Sequence, residues 1–296
     1  MPFPHAGEIF ALLAPLAWST AMILYKRTDA PAVSINLFKN VLAVGLLGLT
    51  LVAMREPLPL GRSWGDWLRL ALSGLLGLSL ADTLLFMGLA KVGASKIALV
   101  DTVYAPTVVV LSWLVLGESP TVAFLIGAGA VVAGITLATV RRGALGVEAR
   151  EEWLGMGLAG LAVASTACAV VLAKPVLERS GLVEVTATRL VFGVLGQLVW
   201  VSGTGRWAEA GAAFRPGPVW RTLVPAAVIG TYISMMLWLG GYKWADASVA
   251  AVLNQMATVY ILVMARVFLG ESLRPAQAAG ALLAASGAVW IVLTRP

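Results

Sequence analysis

Runs of about twenty apolar residues recur from one end of this 296-residue chain to the other, and that length matches the hydrocarbon thickness of a bilayer. A water-exposed protein could not carry them. Charged residues make up 12% of the chain, against about 25% in soluble domains, too few to cover the surface. Ten spans can be drawn: Ile9–Tyr25, Ala32–Ala53, Leu70–Ala90, Lys96–Leu116, Thr121–Val140, Trp153–Ala173, Val185–Ser202, Val219–Gly240, Asp246–Leu269 and Pro275–Leu293. No strand-length alternation of apolar and polar positions accompanies them, so the fold class is an all-α polytopic membrane protein. The residues before the first span contain no Lys or Arg, which favours a retained helix over a cleaved signal.

The basic residues stand singly or in pairs beside the spans. Lys26-Arg27, Arg55, Arg141-Arg142 and Lys174 read as anchors that reach the lipid headgroups. That scatter argues against a nucleic-acid partner, which would need a concentrated basic face. One cysteine, Cys168, excludes an internal disulfide, and one histidine, His5, leaves little for a metal centre. The chain contains no HExxH, GxSxG or GxxxxGK[ST] pattern, so neither an enzyme, a cofactor nor ATP-driven pumping is expected. An intramembrane enzyme and a noncatalytic membrane scaffold are the rival classes to a carrier.

The second half repeats the first. LGES occurs at Leu116–Ser119 and again at Leu269–Ser272, an offset of 153. Lys39 corresponds to Arg189 at 150, Trp18-Ser19-Thr20 to Ala164-Ser165-Thr166 at 146, and Gly88–Lys91 to Gly240–Lys243 at 152. The expected organisation is a first five-helix repeat over 1–142, a connecting loop over 143–152 and a second repeat over 153–296. Five spans is an odd number, so the second repeat enters the bilayer with opposite polarity. Such inverted repeats are a recurrent transporter architecture.

With its ten spans, its two span–LGE–span units at Leu99–Leu137 and Val252–Leu293, and its basic residues Lys39 and Arg189 near the start of each second span, the chain resembles the drug/metabolite transporter superfamily, specifically proteins with two EamA domains. Pro106 matches a proline common in the fourth span of such proteins, while Val259 departs from the pattern in the second half. The resemblance implies a secondary transporter in the cell membrane, the inner membrane in a Gram-negative bacterium, and cytoplasmic termini. Lys and Arg are nonetheless more numerous in the loops that this orientation places outside, against the positive-inside rule.

Polar side chains inside apolar spans are costly and mark candidate sites. Asp82 reads either as a proton-coupling or substrate-contact group, or as a packing group that is protonated or paired; the repeat sets it opposite Ser234. Asp101 lies one helical turn from Tyr104 and aligns with Asn254, beside Gln255. Lys39, on one face with Asn36 and Asn40, and Arg189 can attract an anion, pair with an aspartate, or snorkel. Trp18, Tyr104, Tyr232, Trp238 and Tyr260 could wall a cavity or simply pack. Glu118 and Glu271 are expected to cap the helices that follow them, spans five and ten. Small pairs such as Gly160/Ala164, Ala130/Gly134 and Gly280/Ala284 suggest close helix contacts. The expected function is export or permeation of a small organic solute such as an amino acid, with a proton as a possible second passenger, membrane lipids as surroundings, and a homodimer as a possible assembly.

Overall fold

Hydrocarbon offers no water to peptide groups, so an apolar chain must close its backbone hydrogen bonds within each segment. Accordingly, the computed structural model, which describes residues 3–25, 27–28, 30–55, 61–139, 149–269 and 274–294, contains helices and no strand among those residues. In chain order they are α1 (Ala6–Tyr25), α2 (Ala32–Met54), α3 (Trp64–Gly74), α4 (Ala81–Asp101), α5 (Tyr104–Leu111), α6 (Val122–Thr139), α7 (Ala149–Arg179), α8 (Leu182–Thr204), α9 (Trp207–Ala210), α10 (Trp220–Ala227), α11 (Ser234–Trp244), α12 (Ala247–Asn254), α13 (Ala257–Leu269) and α14 (Pro275–Thr294). Among the described residues, eight helical runs are long and apolar enough to cross a membrane, and Tyr104–Leu116 and Val122–Ala138 are shorter apolar helices. The protein is a multi-pass, all-α membrane protein. Leu49, Val52, Val199, Val267, Leu282 and Leu293 face outward, where lipid tails would lie.

Span three starts well before Leu70: Ser63 caps α3 by accepting the Asp66 amide at 3.2 Å. Spans three and four then run without a non-helical residue through α4. A Cβ on Gly88 would nevertheless stand 3.4 Å from Ile97 Cδ1. A straight helix would hold those two residues about 13 Å apart along its axis, so α4 turns back on itself between them. Each repeat also contains a π-helical stretch in the same place, Leu75–Leu80 between α3 and α4 and Val228–Ile233 between α10 and α11. The helix breaks between α4 and α5 and between α12 and α13 match as well. Both landmarks lie 153 residues apart. That register sets Met235 opposite Asp82 and Ser234 opposite Ala81, which corrects the pairing of Asp82 with Ser234.

Packing exchanges one span between the repeats. Span eight (α10, α11) packs with α1 and α2, while span three (α3, α4) packs with their repeat-mates α7 and α8. The two pairs of mates α2/α8 and α6/α14 pack on each other across the axis. In α6/α14, Gly127 meets Gly287 and Gly134 meets Gly280, so one index rises as the other falls. Mates that run antiparallel are related by a two-fold axis lying across the helices, which is the inverted arrangement. Ala130/Gly134 and Gly280/Ala284 form this contact, whereas the space around Gly160 is open.

The end of the molecule that carries both chain termini is tied by polar side chains. Lys174, on α7, donates to the carbonyls of Tyr242 (3.0 Å) and Ala245 (2.9 Å) at the end of α11. Lys243, on α11, donates in return to Leu177, Glu178 and Ser180 at the end of α7. Each lysine thus satisfies carbonyls that the other helix leaves unbonded. Lys174 is buried by this role and does not reach the headgroups. Glu118 is a cap too, but of a different helix from the one expected. Its carboxylate accepts the amides of Ala247 (2.6 Å) and Ser248 (3.0 Å) and the Ser248 hydroxyl (2.7 Å), at the start of α12 in the other repeat. Span five is capped instead by Thr121, whose hydroxyl accepts the Phe124 amide at 3.1 Å. Lys26, Arg141, Arg142 and Glu271 lie outside the described residues.

A Cβ on Gly134 would stand 2.5 Å from both the Ala284 nitrogen and the Gly280 oxygen, whereas Gly129 on the same helix has nothing within 4 Å. Gly134→Val should therefore lower stability by about 1–3 kcal/mol through overpacking, read as a reduced melting temperature in detergent. Gly129→Val should melt close to the parent; equal losses at the two positions would contradict the close contact.

Candidate functional site

The axis that relates the repeats passes through a cavity of about 300 Å³. Its wall is built in matched pairs, because both π-helical stretches and both helix breaks present residues to it. Gly77 and Leu78 from span three line it with Gly230 and Thr231 from span eight, and Asp101 lines it with Asn254. A π-helical turn widens the backbone and is common at functional sites. Here it sets the residues just beyond it, Asp82 in one repeat and Met235 in the other, facing the same space.

Of the sequence candidates, Trp18, Lys39, Asp82, Asp101, Tyr104, Arg189, Asn254, Gln255 and Trp238 all line this cavity. Tyr232 does not. Its hydroxyl shares a 2.7 Å hydrogen bond with Thr50, and its ring packs in the apolar cluster around Ala43, Leu47, Leu78 and Leu190. Tyr260 packs against the main core.

The two cations of the second spans are buried, Lys39 at 7% and Arg189 at 1% exposure, so neither snorkels. The Lys39 ammonium lies 3.7 Å from Asp82, 3.4 Å from Asn40 Oδ1 and 6.0 Å from the centre of the Trp18 ring. This ion pair links α2 to α4 at the cavity wall. Arg189 makes no such pair among the described residues. Its Nε donates to Ser73 Oγ at 2.7 Å, the Ser73 hydroxyl donates to the Ala169 carbonyl, and the guanidinium lies 5.5 Å from the centre of the Trp238 ring.

The paired helix breaks meet across the axis. Gln255 Nε2 donates at 2.8 Å to the carbonyl of Asp101, a backbone oxygen at the end of α4. Asn254 turns its own Nδ2 back to the Ala250 carbonyl at 2.8 Å. Pro106 removes one amide from the first turn of α5, yet the same break forms in the second half, where Val259 stands. The Asp101 carboxylate is left facing the cavity without a hydrogen-bond or ion-pair partner among the described residues. Tyr104 shares a 2.7 Å hydroxyl–hydroxyl bond with Tyr242. Four residues of this site were not singled out from the sequence: Ser73, Thr166, Thr231 and Tyr242. Ser73 and Tyr242 act by contacts with residues more than a hundred positions away, which no local pattern records.

Breaking the Lys39–Asp82 pair from one side should cost more than removing both charges, because a lone buried charge is the expensive state. Lys39→Met should destabilise the protein by about 3 kcal/mol, and adding Asp82→Asn should restore most of that loss. Thermal unfolding of the singles and the double in detergent measures the coupling; additive losses would mean that the two groups do not interact.

The model of the EamA-like transporter family matches residues 5–140 and 153–293. No curated protein matches the chain. A solved structure described only as a crystal structure of a protein aligns with a TM-score of 0.76 and 21% identity, over 97% of this chain and 96% of that one, a likeness of fold alone.

Proposed function

The chain belongs to the EamA-like transporter family, and on that premise we propose that it is a secondary transporter that exports or otherwise permeates a small organic metabolite such as an amino acid, with proton coupling through Asp101. Membership makes it a membrane transporter of the drug/metabolite superfamily. The finer reading rests on one observation above all: the cavity on the repeat axis carries two cations and two carboxylates in a wall that mixes apolar side chains with neutral polar ones. Such a wall suits a solute that is small, partly apolar and of balanced charge. The cavity also lies between the two three-span groups, α1/α2/α10–α11 and α7/α8/α3–α4, whose rocking would expose it to either face in turn. Asp101 supports the coupling role because its carboxylate has no fixed partner among the described residues and can gain or lose a proton without breaking an ion pair there.

Purified protein in vesicles, loaded with a mixed pool of amino acids and other small metabolites, should release particular solutes faster than empty vesicles, and an imposed proton gradient should change the rate. Asp101→Asn should keep the protein folded while removing the gradient's effect. A complete lack of flux across the pool would sink the transport reading. Flux that ignores the gradient in the parent protein would sink the coupling alone.

A further inference from the structure

Two cations occupy equivalent places in the repeats, but only one of them is neutralised. Lys39 has Asp82 at 3.7 Å. Arg189 has no carboxylate within ion-pair distance among the described residues, although it is 1% exposed and thus more deeply buried than Lys39. A buried charge left without a counter-ion is strongly unfavourable, so a position of this kind is normally completed by an anion. The surroundings of Arg189 fix its direction. Ser73 holds Nε, its hydroxyl hydrogen being engaged by the Ala169 carbonyl, and Trp238 lies over the guanidinium. Nη1 is buried and has no hydrogen-bond partner. It belongs to a side chain of the cavity wall, and the nearby Tyr104 hydroxyl is already joined to Tyr242.

We propose that Arg189, oriented by Ser73, is the docking group for a carboxylate on the transported solute. This assignment rests on the transport reading above and adds to it the charge and polarity of the bound solute. Charge balance distinguishes a carboxylate from a phosphate ester. Once Lys39 and Asp82 cancel, the wall holds one free positive group, Arg189, and one free negative group, Asp101. A monoanion matches the first, and a cationic group on the same solute, or a proton, matches the second. A dianionic phosphate would leave the cavity with excess negative charge. Arginine suits this task because its fixed fork can offer parallel donors to a carboxylate. Ser73 is a positioning residue: it touches Arg189 and not the solute.

The test uses the full-length protein in lipid nanodiscs, titrated by calorimetry with 4-methylpentanoate, 4-methylpentanamide and methyl phosphate. These probes keep a small frame while changing the charged end. The carboxylate should bind about ten-fold or more tightly than the amide, because a site built for that group leaves donors unpaired when it is missing. Arg189→Gln should remove this preference. Arg189→Lys, which keeps the charge and loses the fork, should retain it at a several-fold lower level, and Ser73→Ala should weaken carboxylate binding with little effect on the amide. Equal binding of carboxylate and amide to the parent protein overturns the assignment, as does tighter binding of methyl phosphate. A preference that survives Arg189→Gln also overturns it; if that variant does not fold, an undiminished preference in Arg189→Lys does the same. Vesicle flux separates this assignment from the broader reading. Carboxylate binding without any flux would defeat transport and leave the subsite standing. Flux of solutes with no preference for a carboxylate would defeat the subsite and leave transport standing.

Discussion

An interrupted helix in hydrocarbon exposes peptide groups that no water can satisfy, and this constraint accounts for several of the long-range polar contacts in the protein. At several helix ends a side chain from a distant part of the chain supplies the missing partner. Gln255 reaches the carbonyl of Asp101 at one break, and Glu118 supplies the acceptors for the start of α12. Lys174 and Lys243 answer the ends of α11 and α7. These contacts join segments 63 to 154 residues apart. The polar residues within the spans are therefore divided between two tasks, repairing the backbone and lining the cavity.

That division explains how far the sequence could be read. The spans were legible because bilayer thickness imposes a length on every apolar run, and the inversion was legible because five spans per repeat is odd. Most of the polar and aromatic candidates line one cavity for a related reason: a polar group in the middle of an apolar span has few places to go other than the interior. Tyr232 illustrates the limit. It lies within a π-helical stretch that rotates its neighbours relative to a regular α-helix, and its hydroxyl finds Thr50. Helical periodicity counted from the sequence takes no account of that rotation. Glu118 and Lys174 show a second limit. Their types and positions suited a cap and a headgroup anchor, but their partners lie 68 to 130 residues away and are brought near only by tertiary packing. The π-helical stretches had no signal of their own in the sequence.

Duplication gives the two halves the same scaffold, and substitution then makes them chemically different on it. The register of 153 residues holds through the π-helical stretches and the helix breaks. On that common frame stand Asp82 against Met235 and Asp101 against Asn254, while Lys39 stands against Arg189 at an offset of 150. The first repeat supplies both carboxylates of the cavity, Asp82 and Asp101, and the second supplies none. A symmetric backbone thus encloses an electrically polar space, with the excess of acid on the side of the first repeat.

The reciprocal lysines at the end that carries the termini have a mechanical consequence. Each is anchored on the helix whose end the other one holds, so neither α7 nor α11 can withdraw without pulling on both sets of bonds. Two fasteners arranged in this crossed fashion share load and fail together. Any movement that parts the end of α7 from the end of α11 must therefore break both sets of hydrogen bonds.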